Sequence, residues 1–189
     1  IMKKELFTLL IILIIGCVSQ PEIRYYKSYN RSPEFKSFIQ GDSYKLWYDE
    51  RIHSQFIEFE KDSAEWKAFQ KKWGTFSLDH YFYNRISGIF FIIAKNRYKQ
   101  SYDKMLKRFK KNIRSINLTI IESDQRMVNN APVLYIRFFG KEDGTNMMLS
   151  AYFINYDSGM LLIMIAGPED EYGEHRKEIE EAMNGIELN

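Results

Sequence analysis

The chain has 189 residues, with 27 Lys and Arg against 25 Asp and Glu, 16% aromatic residues and one cysteine. The near-neutral charge argues against nucleic acid as a main partner, and a single cysteine excludes a disulfide within the chain or a thiolate metal site. The length suits one domain with a sizeable buried core after removal of a predicted leader.

The first 17 residues carry the most specific pattern in the chain. Lys3 and Lys4 precede a ten-residue apolar run at 6–15, which is shorter than the roughly 20 helical residues that span a bilayer and is typical of a secretory signal. The run ends in Ile-Ile-Gly-Cys, which resembles the lipobox of prokaryotic lipoproteins. This resemblance implies cleavage before Cys17 and transfer of a diacylglycerol to its thiol, giving two acyl chains that hold a protein on a membrane. The alternative is an uncleaved anchor with an incidental cysteine.

These features predict a signal peptide at 1–16, a lipidated tether at 17–40 and a single domain at 41–189. The tether shows little periodicity apart from Tyr25, Tyr26 and Tyr29, which we expect to dock on the domain or the membrane surface. The mature protein is expected on the extracytoplasmic face of the cell membrane, or on an outer membrane if the host has one.

The residue pattern of the first half of the domain predicts these elements in chain order: a strand at 43–48, a strand at 52–59, a helix at 62–74, an ambiguous segment at 76–82 and a buried strand at 86–94. Asp62 and Glu65 form a capping-box pattern at the start of this helix, and Gly74 is a good helix stop.

A strongly amphipathic helix is predicted from Ser101 to about Ile116. One arc of the helix is apolar and contains Tyr102, Met105, Leu106, Phe109, Ile113 and Ile116. The opposite arc is basic and contains Lys104, Lys107, Arg108, Lys111 and Arg114.

Four strands and a helix complete the chain. The strands are predicted at 118–128, 133–139, 147–155 and 160–166, and the helix from Pro168 to about Asn184. The joints NNAP, KEDGT and YDSG favour tight turns, so the strands should form an antiparallel meander. The strands do not alternate apolar and polar residues, so both faces of the sheet need cover. We therefore predict an α+β fold, a three-layer α/β/α sandwich around the meander; the alternative has a second subunit covering one face.

This element order resembles the PsbP-like family, named for the extrinsic subunit of photosystem II, whose prokaryotic members are often small lipoproteins. The resemblance covers 43–188 and depends on YKQSYDKMLKRFKKNI before the meander, NNAPVLYIRFFG at its second strand, and YFINYDSGMLLIMIAG leading into EHRKEIEEAMNGIEL. It implies an α/β/α sandwich that binds or assists a partner and usually has no catalysis of its own. No ligand motif of the family is matched, so no functional residue is carried over.

The histidines offer two candidate sites. Glu171, His175 and Glu178 follow one another at i, i+4 and i+7 on the last predicted helix and could hold a divalent ion, although solvated glutamates beside a histidine explain the pattern equally. Asp79 could orient His80 for base catalysis, against the alternative of a surface pair. No catalytic motif, phosphate loop or cofactor signature accompanies either site, so no cofactor is predicted.

The charges are segregated along the chain. Residues 95–114 contain nine basic and one acidic residue, and residues 169–189 contain eight acidic and two basic residues. These are either ordinary solvated helix faces, or the basic face meets anionic headgroups or an acidic protein partner, to which each cation would contribute about 1 kcal/mol.

The sequence therefore predicts a non-enzymatic, lipid-anchored module that binds a protein or envelope partner. An alternative is a carrier that encloses a small apolar ligand in an aromatic-lined cavity. A third hypothesis, a metal-assisted hydrolase, requires His175 or His80 to bind an ion. The oligomeric state is left open.

Overall fold

The computed structural model describes residues 27–49, 55–72, 76–112 and 118–189. The predicted signal peptide, the lipid attachment site Cys17, and Tyr25 and Tyr26 of the tether lie outside the described residues, as does Arg114 of the predicted basic face. The described residues contain no helix that is both long enough and apolar enough to cross a bilayer.

The described residues form a mixed fold of strands and short helices. The strands are β1 (Lys27–Tyr29), β2 (Ser37–Gln40), β3 (Tyr44–Tyr48), β4 (Ile57–Glu58), β5 (Ser77–Tyr83), β6 (Phe90–Asn96), β7 (Leu118–Val128), β8 (Ala131–Glu142), β9 (Thr145–Tyr156), β10 (Gly159–Pro168) and β11 (Ile186–Leu188). The helices are α1 (Ala64–Lys72), α2 (Tyr102–Asn112), α3 (Glu169–Glu174) and α4 (Arg176–Met183). A large sheet has the strand order β1-β7-β8-β9-β10-β6-β5-β4, and a small sheet has the order β11-β3-β2.

The predicted meander is confirmed, because β7, β8, β9 and β10 pair antiparallel in sequence order. Asn129 and Asn130 join β7 to β8 with φ of 45° and 66°, and Asp143 and Gly144 join β8 to β9 with φ of 50° and 84°. Short hairpins need such left-handed residues, which Asn, Asp and Gly adopt at the lowest cost. The turn chemistry of the sequence therefore fixes the register of the long strands.

The strand predicted at 86–94 starts four residues later, at Phe90. The side-chain Oδ1 of Asn84 accepts hydrogen bonds from the backbone N–H groups of Ile86 and Ser87, at 2.9 and 3.2 Å, and Gly88 has a φ of 69°. These contacts form a turn between β5 and β6 instead of extended chain. The ambiguous segment at 76–82 is strand β5.

Part of the predicted tether belongs to the two sheets. Strand β1 pairs with β7, and this pairing is the parallel one in the sheet, with Lys27 opposite Arg126 and Tyr29 opposite Val128. Strand β2 pairs with β3, with Ser37 opposite Tyr48. Residues 27–40 therefore contact the folded unit, although their sequence lacks the alternation that marks a strand.

Both faces of the large sheet are buried along its central strands β8, β9 and β10, as the lack of alternation predicted, whereas β4 and much of β7 are exposed or half-buried. On the first face, Tyr102, Met105 and Phe109 of α2 pack against meander side chains such as Phe138 and Phe153. The second face packs against residues of α3, α4 and the small sheet, namely Tyr172, Ile179, Met183, Tyr44, Leu46 and Ile186. Because this cover comes from the same chain, the second face does not require a second subunit to bury it. The cover includes the strands of the small sheet as well as helices, so it is not purely helical.

The single C-terminal helix predicted from Pro168 to Asn184 is divided in two. His175 lies between α3 and α4 with φ of −101° and ψ of 14°. Gly173 precedes the break, and glycine costs a helix about 1 kcal/mol relative to alanine. The division changes which side chains of this segment share a face.

Candidate functional site

A predominantly apolar cavity of about 280 Å³ lies between the second face of the large sheet, β3 and α4. Its apolar wall consists of Phe35, Leu46, Tyr48, Phe56, Phe82, Ile89, Phe91, Ile165, Ile179 and Ala182. Ligand cavities in proteins are usually apolar with a few polar groups that fix orientation, and this wall fits an apolar ligand. We call this space the β3–α4 cavity.

Polar groups also line the β3–α4 cavity. They come from three places in the chain: Asp49 and Gln55 between β3 and β4, Asn84 and Ser87 in the β5–β6 turn, and His175 and Glu178 at the start of α4. The Oε2 atom of Glu178 is buried and has no hydrogen-bond partner in the described part of the chain. A buried acceptor without a partner destabilises the fold, so a ligand that donates a hydrogen bond to Glu178 would relieve this cost beside the apolar wall.

The sequence could not have located this cavity. Its residues come from separate segments at 35–56, 82–91, 165 and 175–182, which meet through the pairing of β3 with β11 and the packing of α4 on the large sheet. The one sequence signal that pointed toward it was the high aromatic content.

The predicted basic face of α2 is exposed where the structure describes it. Lys104, Lys107 and Lys111 are exposed and Arg108 is half-buried, whereas the apolar arc of the same helix is in the core. The predicted division of the helix into two faces is therefore confirmed, while binding of an anionic surface stays a prediction.

The predicted metal cluster is altered by the break at His175. Ligand atoms of Glu171, Glu174 and His175 lie within 4.8 Å of one another, whereas Glu178 lines the cavity instead. The i, i+4, i+7 spacing predicted on one continuous helix is therefore not realised. These three residues are exposed or half-buried, and exposed acidic clusters are common without a metal, so metal binding stays a prediction.

The hypothesis that Asp79 orients His80 is wrong. Asp79 accepts a hydrogen bond from the Tyr44 hydroxyl at 2.7 Å and pairs with Lys95 at 3.3 Å, whereas His80 Nδ1 lies 2.6 Å from Glu58 Oε1. The pairing of β5 with β6 is irregular between Leu78 and His80, and within this bulge the two side chains take different partners.

The surroundings of Asp79 stabilise its charged form. Burial favours the neutral acid, but the hydrogen bond from Tyr44 and the positive charge of Lys95 outweigh it and lower the pKa of Asp79. Burial and the Asp79 carboxylate raise the pKa of Tyr44. The pair links the small sheet to β5, a structural role that neither residue indicates in the sequence.

Arg126 of β7 forms a second polar cluster that the sequence did not indicate. Its guanidinium carbon lies 3.8 Å from the Tyr135 ring centre and 4.7 Å from that of Tyr29. Its Nε and Nη2 donate to the two carboxylate oxygens of Asp124 at 2.7 and 2.6 Å. Since Tyr29 belongs to β1, this buried arginine holds the start of the described chain on the large sheet.

No protein-family model matches the chain, and no curated protein matches it either. Among solved structures, LpqN of Mycobacterium tuberculosis, described as involved in cell envelope biogenesis, matches with a TM-score of 0.45 at 6% identity over 61% of this chain and 79% of its own. A protein of unknown function from Pseudomonas aeruginosa matches with a TM-score of 0.46 at 10% identity over 78% and 93%.

Cyanobacterial PsbP from Synechocystis matches with a TM-score of 0.56 at 10% identity, and the match covers 84% of this chain and 95% of the PsbP chain. Identity this low carries information about fold alone. The chain therefore has a PsbP-like fold.

Proposed function

We propose that this protein is a membrane-anchored, extracytoplasmic lipoprotein that acts as a non-catalytic binding module of the cell envelope. The lipobox-like segment that ends at Cys17 supports the anchor. The PsbP-like fold supports a module that binds or assists a partner, as the sequence resemblance implies. A three-layer arrangement belongs to this proposal and is supported by the two separate buried clusters on opposite faces of the large sheet.

The β3–α4 cavity is the observation that carries the binding role. Its wall is aromatic and aliphatic, and the residues around it come from both sheets and α4. Filling such a space with an apolar group removes hydrocarbon surface from water, at about 25 cal/mol per Å². The cavity is therefore the place at which we expect a partner or ligand to bind.

The anchor is tested by growing the host with labelled palmitate. The wild-type protein should take up the label and fractionate with membranes, whereas the Cys17→Ser variant should do neither. A wild-type chain that stays unlabelled would contradict the lipoprotein assignment. The binding role is tested by cross-linking in the intact envelope, in which the wild type should yield a defined adduct that an Ala182→Trp variant lacks.

A second candidate function, a carrier for a small apolar ligand, is favoured by the unused acceptor of Glu178 beside the cavity wall. A suitable ligand would be an apolar molecule with one hydrogen-bond donor. Native mass spectrometry of protein purified from its host separates the two candidates. A carrier should show a bound species of constant mass, while a module that binds a protein should show none.

A further inference from the structure

The direction of β1 indicates from which side the chain enters the domain. Strand β1 runs parallel to β7, so Lys27 at its start faces the Leu118 end of that strand. Two contacts hold β1 in this direction: the Tyr29 carbonyl accepts a hydrogen bond from the Asn129 backbone N–H at 3.0 Å, and the Tyr29 ring lies against Arg126. A chain that continues the direction of β1 back from Lys27 would therefore run toward the Leu118 end of the large sheet.

The length of chain between the anchor and β1 limits where the membrane lies. Lys27 lies ten residue steps after Cys17, and ten steps span at most about 35 Å when the chain is fully extended. From Arg126 back to Leu118 the strand rises over eight residues, or about 26 Å. A lipid on Cys17 can therefore reach just past the Leu118 end of the sheet.

The surface at this end is cationic and partly apolar. Lys107, Lys110 and Lys111 are exposed on α2, and Lys110 lines a shallow groove with residues 118–123 of β7. In this groove Ile121 is 47% exposed, beside a bulge that interrupts the pairing of β7 with β8. We call these four residues the α2–β7 patch.

Two acidic side chains on the same elements as the patch, Glu122 and Asp103, are engaged elsewhere. Glu122 pairs with Arg137 at 2.8 Å and with Arg126 at 3.8 Å. Asp103 lies at the opposite end of α2 and accepts a hydrogen bond from Gln125 at 3.2 Å. The three lysines are therefore not neutralised by these two carboxylates.

We propose that the α2–β7 patch is the face that the domain turns toward an anionic bilayer. Ile121 enters the boundary between headgroups and acyl chains, and Lys107, Lys110 and Lys111 contact lipid phosphates. Cations near an anionic surface attract it, and lipid anchors commonly work together with a basic patch. This inference rests on the lipid anchor of the proposed function and adds the orientation of the domain.

The test places a nitroxide spin label on the acylated, full-length protein in vesicles. In the Ile121→Cys variant the new thiol is the free one, because the acylated Cys17 does not react. The Ile57→Cys variant is a matched control, since Ile57 is also 47% exposed but lies on β4, the opposite edge strand of the large sheet. On vesicles that contain phosphatidylglycerol, the label at 121 should become shielded from a water-soluble relaxation agent, and the label at 57 should stay accessible.

Replacing Lys107, Lys110 and Lys111 with glutamine should remove the shielding at 121 while the acyl chains still hold the protein on the vesicles. Glutamine at Lys36, Lys61 and Lys71, which are also exposed, changes the net charge equally and should leave the shielding intact. Equal accessibility at 121 and 57 in vesicle-bound protein would overturn the orientation alone. Protein that fails to associate with vesicles, with Cys17 open to the label, would instead overturn the anchor.

Discussion

The guanidinium carbon of Arg126 lies 4.7 Å from the centre of the Tyr29 ring, so an arginine of β7 holds the strand that connects the domain to its predicted anchor. Cation–π contacts contribute roughly 0.5–2 kcal/mol. In a Tyr29→Ala variant, we expect amide hydrogen exchange at residues 27–29 to become roughly 2- to 30-fold faster. Tyr98, which is 61% exposed, provides the control as Tyr98→Ala. Unchanged exchange in β1 of the Tyr29 variant would mean that the ring contact does not hold the strand.

Asn129 connects three parts of the fold through its side chain. Its Nδ2 donates to the backbone carbonyls of Asn184 and Ile186 at 2.8 and 2.7 Å, and its Oδ1 accepts from the Arg31 N–H at 2.7 Å. Each such bond contributes about 1 kcal/mol. Asn129→Ala should therefore lower the free energy of unfolding in urea by roughly 2–3 kcal/mol more than Asn130→Ala. Asn130 is the matched control because it has positive φ as Asn129 does, so both variants carry a similar cost in backbone strain. Equal losses would assign the effect to backbone strain.

Asp79 should make stability depend on pH in the acid range. Its pKa in the folded protein is lowered, so the folded state favours the ionised form more strongly than the unfolded state does. The resulting stabilisation is present above the unfolded pKa of about 3.9 and is lost as the pH falls through the lower folded value.

The Asp79→Asn variant lacks this titration. We expect the wild type to exceed the variant in free energy of unfolding at neutral pH, and the difference to shrink once the pH falls below about 4. Chemical denaturation at a series of pH values measures it. A difference that stays constant down to strongly acidic pH would contradict a lowered pKa.

The β3–α4 cavity should bind an apolar fluorescent probe in a saturable manner. Ala182 lines the cavity, so the Ala182→Trp variant should fill the space and abolish saturable binding. Ala64 at the exposed start of α1 offers the matched control as Ala64→Trp, which should bind as the wild type does. Circular dichroism establishes that both variants are folded. Loss of binding in both variants would place the probe outside the cavity.

The sequence predicted the meander because its information is local. The pairs Asn129-Asn130 and Asp143-Gly144 can adopt positive φ, so they determine where β7, β8 and β9 turn. The amphipathic pattern of α2 is local as well, since helical periodicity is independent of the partner surface.

Features that depend on distant partners escaped prediction. Strand β1 is stabilised by Arg126 and Val128, about a hundred residues further along the chain, and three residues carry too little pattern to indicate a strand. The cavity required the small sheet, whose strand β11 pairs the last residues of the chain with β3. The break at His175 reflects the low helix propensity of Gly173 in competition with an otherwise helical pattern.

The parallel pairing of β1 has a mechanical consequence for a protein attached to a membrane. A pull on the chain before Lys27 acts along the axis of β1, toward the Leu118 end of β7. The backbone hydrogen bonds of β1 and the ring contact of Tyr29 are then loaded together in shear, whereas an antiparallel hairpin pulled from its open end would peel apart bond by bond. With the proposed anchor at Cys17, this geometry would resist drag on the domain without unravelling the sheet.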